Sequence, residues 1–194
     1  MNVEKETLPT SFPEINLPAT QNLDFEALTF ENTHQIYRMF RWDWNLFVSA
    51  KFKSRTGANL YAAFQLEKAR FSKQHGACDW FFKTKTGEFA GMLHLYDLSQ
   101  ETFADRHKRC TIGFATTRKF RSKGLTTEAV NQLLRHLFEH LEMQMVLSYT
   151  KRNNKKAIAF LEKLGFANND QAYTLTGKFR YFEITREKFL YHDR

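Results

Sequence analysis

The sequence predicts one α/β domain of the α+β kind, built on a mixed, mostly antiparallel sheet flanked by helices. Its 194 residues suit a single domain with a short arm. Two strand patterns meet at Lys85–Gly87, a turn signal that indicates an antiparallel hairpin. Further along the chain, strands and helices alternate, which requires a parallel crossover. Hairpins followed by one strand–helix–strand–helix unit favour a mixed sheet over a doubly wound one.

The spacing of apolar residues predicts the elements in chain order. A short apolar run gives the first strand, and apolar residues at helical spacing, such as Ile36, Met39 and Phe40, give the first helix. The clearest helical pattern ends at Leu141, and Gly165 ends the helix after it. The predicted strands are 25–28, 77–84, 88–95, 109–116, 145–150, 173–175 and 179–185, and the predicted helices are 32–40, 60–71, 126–141 and 154–164.

The first residues differ from the rest in proline content and charge. All three prolines lie within the first 18 residues, and residues 1–24 carry a net charge of −3. The remaining 170 residues carry +11, which permits an anionic ligand of any kind. We predict an extended N-terminal arm over residues 1–22 and one domain over residues 23–194.

Composition excludes several classes of protein. Aromatic residues make up 15% of the chain, enough for a sizeable core, and charged residues make up 26%, as in ordinary globular proteins. No apolar run approaches the ~18 residues that a membrane span needs. The first residues also lack the basic-then-apolar order of a signal peptide. We therefore expect a cytoplasmic protein with no membrane partner, whose two cysteines, Cys78 and Cys110, are buried thiols.

The strongest chemical signal is a basic loop between a strand and a helix. Residues 118–123 supply four basic side chains, and Gly124 follows them at the start of the next helix. The unpaired N–H groups of a helix start bind anions, and a glycine lets the ligand approach the backbone. The loop suits a diphosphate, although it has neither the Walker nor the G-x-G-x-x-G glycines. A solvated basic loop explains the same residues equally well.

A second anion site is predicted where the next helix begins. Asn154 stands at or near the N-cap of that helix, inside the polar run Lys151–Lys156. This run follows directly on a strand, as the first loop does. The apolar face of the helix explains its other residues without any ligand.

Together the two stretches resemble the GNAT superfamily of acyl-CoA-dependent N-acetyltransferases. Arg121, Gly124 and Thr126 match the superfamily pattern [RQ]-x-x-G-x-[GA], and Asn154–Phe166 is similar to its N-x-x-[SA]-x-x-[FLV]-x-E-K-x-G-F helix. The spacing looks most like the branch of RimJ and RimL, which acetylate the N-termini of ribosomal proteins. The resemblance covers about residues 25–190.

The resemblance implies acetyl transfer from acetyl-CoA to a primary amine, most readily a protein N-terminus, without an acyl-enzyme. The pantetheine of acetyl-CoA would lie between two parallel strands that splay apart, here 111–116 and 145–150. Asn154 would also hold the pantetheine or the acceptor. The residues implied in binding the cofactor are Phe114, Ala115, Thr116, Arg121, Ser122, Lys123, Gly124, Leu125, Thr126, Asn154 and Lys156.

The departures from the superfamily pattern concern the acid and the base. Many relatives carry a Glu base near the position of Thr111 and a Tyr acid at the position of Leu161. The nearest polar residues on the preceding strand are Ser148 and Tyr149, of which we expect Tyr149 to protonate the leaving thiolate because its hydroxyl reaches further. The loop also has Ser122 where the family usually has Gly.

Several alternatives stay open. The chain could be an acyl-CoA-binding module with impaired catalysis, or could acetylate a small amine of the polyamine or antibiotic type. The basic groups 51–55 and 106–109 permit nucleic-acid binding, but solvated loops explain them better, so no direct nucleic-acid contact is expected. His136–His140 matches H-x-x-E-H, yet these side chains lie off the apolar face of their helix and no third ligand is evident, so no metal is expected.

Overall fold

In the computed structural model the described residues are 16–42, 53–70, 76–98, 108–170 and 177–192. Seven strands form one sheet in the order β1-β2-β3-β4-β5-β7-β6. The strands are β1 Leu23–Ala27, β2 Gly76–Thr84, β3 Phe89–Leu98, β4 Arg109–Thr116, β5 Met145–Lys151, β6 Ala167–Asn168 and β7 Phe179–Thr185. The helices are α1 His34–Phe40, α2 Arg55–Arg70, α3 Leu125–Arg135, α4 Lys155–Lys163 and α5 Arg186–His192.

All neighbouring strands are antiparallel except β4 and β5, which run parallel. The connection between these two strands is α3, as a parallel crossover requires. The prediction of a mixed, mostly antiparallel sheet flanked by helices is therefore confirmed.

The two faces of the sheet bury two separate apolar clusters, because successive strand residues point to opposite faces. On one face, Leu133 and Leu134 of α3 belong to the same core as Leu93, Leu95 and Ile112. On the other face, α1 and α2 cover a smaller cluster that includes Ile36, Phe40, Ala62, Phe81 and Met92. The larger cluster carries the amphipathic face that the sequence predicts for α3.

The parallel ladder between β4 and β5 is short. It pairs Arg109, Cys110 and Thr111 with Met145, Val146 and Leu147, and the strands part beyond that point. Where they part, the Ser148 hydroxyl donates a hydrogen bond of 3.1 Å to the Ile112 carbonyl oxygen. This bond satisfies a carbonyl that the interrupted ladder would leave unpaired. The predicted splayed strands, 111–116 and 145–150, are thus present in the fold.

The hairpin of β2 and β3 contains a bulge. Lys83 faces Phe89, but Phe82 faces Gly91, so Ala90 is an extra residue in β3. A Cβ on Gly91 would stand 2.1 Å from Cζ of Phe82, so only glycine allows this close approach. The extra residue shifts the pairing by one position along the rest of the hairpin.

Three element predictions need correction or lie outside the described residues. Helix α2 begins at Arg55 rather than residue 60, and helix α5 follows β7, where the sequence pattern predicts no element. The Thr185 hydroxyl caps α5 by accepting a bond of 3.3 Å from the Lys188 N–H, so the last residue of the strand also starts the helix. The predicted strand 173–175 lies outside the described residues.

Helix α3 ends earlier than predicted, in a different helical form. Residues His136–His140 continue it as a π-helical turn, in which the Leu141 N–H bonds to the His136 carbonyl. Leu137 and Phe138 keep their side chains buried through this turn. After it, Glu142 takes a positive φ of 53°.

The predicted arm is described only over residues 16–22. In that stretch Leu17 is buried in the larger core. The backbone N–H and side-chain amide of Asn22 donate bonds of 2.8 and 3.0 Å to the Glu128 carboxylate in the first turn of α3. The boundary of the arm stays a prediction. Within the described ranges, none of the helices has the length and apolarity needed to cross a bilayer.

Candidate active site

A cleft of about 1250 Å³ opens where β4 and β5 separate. Its walls are the last residues of both strands, the loop before α3 and the start of α4. Ten residues predicted for the site line it: Phe114, Ala115, Thr116, Arg121, Ser122, Gly124, Thr126, Tyr149, Asn154 and Lys156.

Two predicted site residues lie outside this lining of described residues. The ammonium group of Lys123 sits 5.4 Å from the centre of the Phe120 ring, where it makes a cation–π contact. The side chain of Leu125 packs against the larger core. A direct contact of either side chain with a ligand in the cleft is therefore not supported by the geometry.

The loop before α3 presents its backbone to the cleft. Ser122 and Gly124 both adopt positive φ angles, 59° and 79°, a conformation in which neighbouring N–H groups converge on an anion. Among the described residues no side chain caps α3 at Gly124, so the first N–H groups of the helix remain available for a ligand.

The loop is anchored to the end of β4. The Arg121 Nε–H donates a bond of 3.2 Å to the Thr116 carbonyl, and the hydroxyls of Thr116 and Thr126 lie 2.5 Å apart. These bonds hold the helix start beside the strand that carries Phe114. The arrangement places an anion site and the splayed strand on one wall of the same cleft.

Asn154 occupies the N-cap of α4, as predicted. Its Oδ1 accepts a bond of 3.3 Å from the Ala157 N–H, and its Nδ2 donates one of 3.0 Å to the Thr150 hydroxyl. The side chain therefore fixes the start of α4 to the end of β5. Lys155 and Lys156 stand beside it with exposed side chains that line the cleft.

Tyr149 and Ser148 have different surroundings, as their alternation along β5 requires. Ser148 is buried and its hydroxyl is committed to β4. The side chain of Tyr149 is 51% exposed, with its ring packed edge-on against Phe179. Burial of its hydroxyl and the nearby Asp97 carboxylate raise the pKa of Tyr149, so this hydroxyl stays protonated at neutral pH. Leu161, at the position of the family's tyrosine, is buried.

A buried polar cluster that the sequence analysis did not single out lies on the α1–α2 side of the cleft. The His94 Nδ1 stands 2.5 Å from an Asp79 carboxylate oxygen and 3.0 Å from the Tyr61 hydroxyl. The Gln65 side-chain amide donates a bond of 3.0 Å to that hydroxyl. Asp79 and His94 face each other on β2 and β3, and His94 lines the cleft.

The neighbouring strand pair carries a second polar contact. The Thr111 hydroxyl donates a bond of 2.7 Å to the Asp97 carboxylate, and Asp97 has a positive φ of 59°. The resemblance described above implies a carboxylate near Thr111 in many family members. Here a carboxylate reaches the same place from β3.

Both cysteines are unsuited to nucleophilic chemistry. Burial, and then the Asp79 carboxylate, raises the pKa of Cys78 to about 12. Burial likewise raises the pKa of Cys110, which has no exposed surface. A thiol that stays protonated is a poor nucleophile, so neither residue offers an acyl-enzyme route.

The H-x-x-E-H residues lie in the π-helical turn. The rings of His136 and His140 are 5.0 Å apart, centre to centre. The part of the chain that the structure describes contains no group of three or more His, Cys, Asp or Glu side chains that could hold a metal ion.

Comparison with known proteins decides the family. The sequence model of the family described as "Acetyltransferase (GNAT) domain" matches residues 15–167. The chain belongs to this family. GNAT proteins are N-acetyltransferases that use acetyl-CoA, so the predicted class of enzyme is confirmed.

One curated relative and many solved structures are similar to this GNAT chain. It is 30% identical over 86 residues to YdaF of Bacillus subtilis strain 168, named as a proposed ribosomal N-acetyltransferase; the match spans 44% of each chain, less than half of that relative's length. A mutant of spermidine N-acetyltransferase SpeG from Vibrio cholerae has a TM-score of 0.67 at 13% identity, covering 90% of this chain and 100% of that one. FdhC, a nucleotide-linked sugar GNAT, has a TM-score of 0.71 at 12% identity, covering 92% and 96%. The structural similarities confirm the GNAT fold.

The cleft contains groups that could hold the diphosphate of acetyl-CoA. They are the positive-φ loop, the uncapped helix start and the side chains of Arg121 and Lys156. The gap between β4 and β5 leads from this loop toward Phe114, Tyr149 and the polar cluster of His94. An extended chain with phosphates at one end and a reactive thioester at the other suits this layout.

Proposed function

We propose that this GNAT protein transfers acetyl from acetyl-CoA to the α-amine of a protein N-terminus, as the RimJ and RimL branch does. The observation that carries the proposal is the parting of β4 and β5 after Thr111 and Leu147, directly beside an uncapped helix start. The similarity to YdaF, over 44% of each chain, supports a peptide acceptor.

Arg121, Lys156 and the N–H groups from Ser122 to Thr126 would hold the diphosphate of acetyl-CoA. The same residues carry no acidic side chain that would repel it. We propose a structural role for Asn154, because its side-chain amide already bonds to the Ala157 N–H and the Thr150 hydroxyl. It positions the start of α4 rather than touching the acceptor.

The Phe114 N–H is the donor we assign to the developing oxyanion. Backbone groups of successive strand residues point to opposite edges, and the Ile112 carbonyl points toward β5 while the Thr117 N–H bonds to Ala90 of β3. By this alternation the Phe114 N–H faces the cleft and the Ala115 N–H faces β3. A fixed donor aimed at a charge that develops during reaction is the main electrostatic term in acyl transfer.

The charge of the lining favours a single amine over a polycation. The described lining contains Arg121, Lys151, Lys155 and Lys156 but no Asp or Glu. Alkyl amines of a polyamine are protonated at neutral pH, with a pKa of about 10.4 for a Lys-like amine, and this described lining offers them no carboxylate to pair with. A peptide α-amine has a pKa of about 7.7–8.0, so part of it is neutral and ready to attack.

Tyr149 is the acid that we propose for the leaving thiolate. Its hydroxyl is protonated at neutral pH and its side chain lines the cleft. We expect Tyr149→Phe to leave the Kd for acetyl-CoA unchanged and to lower kcat about 10²-fold, the lower range for general-acid catalysis. Tyr191→Phe, at an exposed site on α5 outside the lining, is the control. A kcat within a few-fold of wild type would leave positioning as the main catalytic contribution.

The experiment that tests the function is mass spectrometry of a mixed acceptor library incubated with acetyl-CoA. The library contains peptides with free α-amines, the same peptides with blocked α-amines and a free Lys, and spermidine. We expect a mass gain of one acetyl group only on free α-amines. Acetylation confined to spermidine would replace the peptide proposal with a polyamine one, and binding of acetyl-CoA without any transfer would favour a binding module.

A further inference from the structure

We propose that His94, oriented by Asp79, is the general base that takes the proton from the acceptor amine. This inference rests on the proposed acetyl transfer and adds the base that the sequence does not supply. The two residues lie on adjacent strands beneath α2, outside both motifs that identify the family.

The contacts of the imidazole fix which nitrogen can accept a proton. Nδ1 faces the Asp79 carboxylate at 2.5 Å, and a carboxylate can only accept, so Nδ1 carries the hydrogen. The neutral ring then has its lone pair on Nε2. Within the described residues both hydrogen bonds of the His94 ring involve Nδ1, and Nε2 has no protein partner.

The ring is held firmly enough to act as a positioned base. The side chain of Asp79 is 1% exposed and that of His94 is 10% exposed. Tyr61 bonds to the same Nδ1 and reaches the second Asp79 oxygen at 3.5 Å, while the Tyr96 ring stacks on the imidazole at 5.8 Å. A carboxylate behind an imidazole also stabilises the imidazolium that forms when Nε2 takes a proton.

A missing side chain on β4 opens the path from His94 to the reacting atoms. His94 faces Gly113, and its Cδ2, the ring carbon bonded to Nε2, lies 3.5 Å from the place of a Cβ on Gly113. The next residue is Phe114, whose N–H faces the gap between the strands. The base on β3 therefore lies opposite Gly113, one residue before the proposed oxyanion donor on β4.

The proton and electron balance needs no further reactant. The amine nitrogen attacks the thioester carbonyl carbon, a C–N bond forms, and the carbonyl π pair moves to the oxygen beside the Phe114 N–H. His94 Nε2 takes one proton from that nitrogen. The oxygen pair returns, the C–S bond breaks, and the sulfur leaves with its electron pair. That sulfur takes a proton from Tyr149, which is reprotonated through the solvated cleft by the proton that His94 releases.

The other hydroxyl and thiol groups around His94 stay protonated at neutral pH, so they do not compete for the amine proton. Tyr61 from α2 and Tyr96 from β3 have pKa values raised by burial and by the Asp79 carboxylate. The pKa of Cys78, on β2, is raised to about 12. The pKa of Tyr149, on β5, is raised as well. The β4 residue opposite His94 is Gly113, which cannot titrate. The Asp97 carboxylate accepts a hydrogen bond from the Thr111 hydroxyl.

The first test is the tautomer of His94 in the protein without any ligand. Two-bond ¹H–¹⁵N correlation spectra at pH 8 are expected to show Nδ1 protonated and Nε2 unprotonated. Asp79→Asn is expected to invert the tautomer, because the new amide can donate to Nδ1. Protonation of Nε2 in the wild type would overturn the proposal independently of any activity.

The second test compares variants on one peptide with a free α-amine, chosen from the library above. We expect His94→Asn to lower kcat about 10²-fold or more, with the Kd for acetyl-CoA unchanged in calorimetry. The loss of kcat/KM toward acid pH should also be smaller in His94→Asn than in wild type. The control is His140→Asn, an exposed histidine outside the cleft, which should match the wild type.

The outcomes separate this inference from the proposed function. If the wild type acetylates the peptide and His94→Asn stays within a few-fold, with the same pH profile, the base is wrong and the function stands. If the folded wild type binds acetyl-CoA and acetylates no amine, the function itself is wrong and the base falls with it. Unchanged acetyl-CoA binding in His94→Asn confirms that the variant is folded.

Discussion

At the scale of single residues, backbone conformation supports the proposed diphosphate site before α3 better than side-chain charge does. Ser122 and Gly124 both take a left-handed φ, which turns successive N–H groups toward the cleft. Arg121, the residue that matches the family motif, donates its Nε–H to the Thr116 carbonyl. The loop thus depends on two φ angles, and substitutions at those positions test it directly.

We expect Gly124→Glu to abolish acetyl-CoA binding in calorimetry. The substitution places a carboxylate and a Cβ at the point where we propose that the diphosphate binds, and strains a φ of 79°. The matched control is Gly87→Glu, at a φ of 81° in the hairpin turn, also with open space around its Cβ position. It adds equal strain and charge away from the cleft, so equal loss of binding in both variants would contradict the assignment.

Ser122→Gly is expected to stabilise the fold and to keep acetyl-CoA affinity. A left-handed φ costs an ordinary residue about 1–2 kcal/mol, and the greater freedom of unfolded glycine returns about 0.5–1 kcal/mol of that. The net gain should raise Tm by about 2 °C for a chain of this size. Lys123→Gly, at a φ that is not positive, should lower Tm instead. A fall in Tm for Ser122→Gly would mean that the Ser122 side chain contributes more than the strain costs.

At the scale of elements, the sequence predicts best where one pattern decides one segment. Strand β4, strand β7 and the Gly165 stop of α4 agree with the structure, the last as a Schellman motif in which the Phe166 N–H bonds to the Leu161 carbonyl. Helix α5 was missed because its start signal at Thr185 follows directly on a strand, where alternation and helical spacing cannot be told apart over a few residues.

The pairing of Asp79 with His94 could not be predicted from the alternation of apolar and polar residues along the strands. If Ala90 paired regularly with Phe82 instead of forming a bulge, the ladder that starts at Lys83 and Phe89 would pair Asp79 with Leu93, and the carboxylate would face an apolar side chain. The bulge moves the register by one and brings Asp79 opposite His94. Such an insertion leaves no signal in the alternation of either strand, so this part of the site depends on tertiary information.

Asn154→Ala should lower the free energy of unfolding by about 1 kcal/mol, the usual cost of losing an N-cap. The same change removes the bond to the Thr150 hydroxyl that ties α4 to β5. Urea unfolding followed by circular dichroism measures the loss. Asn153→Ala, at the exposed neighbouring position, is the control and should stay close to wild type. Equal losses in the two variants would exclude the cap as the cause.

At the scale of the whole molecule, the N-terminal segment is joined to the domain at the helix start that borders the cleft. Burial opposes ionisation of Glu128, but hydrogen bonds from Thr20 and Asn22 outweigh it and lower the pKa of its carboxyl. A lowered pKa in the folded state stabilises the fold above the unfolded-state pKa of about 4.3. This contribution is lost as the pH falls through the folded-state value.

Thermal unfolding of wild type and Glu128→Gln as a function of pH tests this attachment. We expect the variant to have the lower Tm at pH 7 and the difference to shrink as the pH falls through the folded-state pKa of Glu128, because the wild-type carboxyl then becomes neutral as well. The Glu162→Gln variant, at an exposed position of α4, should show no such trend. A constant difference across the whole range would exclude ionisation of Glu128 as its source.

The ladder between β4 and β5 is only three residues long, so it joins the two parts of the sheet more weakly than the strands within each part are joined. Strands β1 to β4 share long antiparallel ladders, as do β5 and β7. Within the described residues the ladder between β4 and β5 pairs three residues of each strand, and the Ser148 hydroxyl adds one bond beyond it. In amide hydrogen exchange, the Gly113 and Ala115 amides, which face β3, should therefore be protected, while that of Phe114 exchanges quickly. Bound acetyl-CoA would slow exchange at Phe114 selectively, so a single amide would report occupancy of the gap.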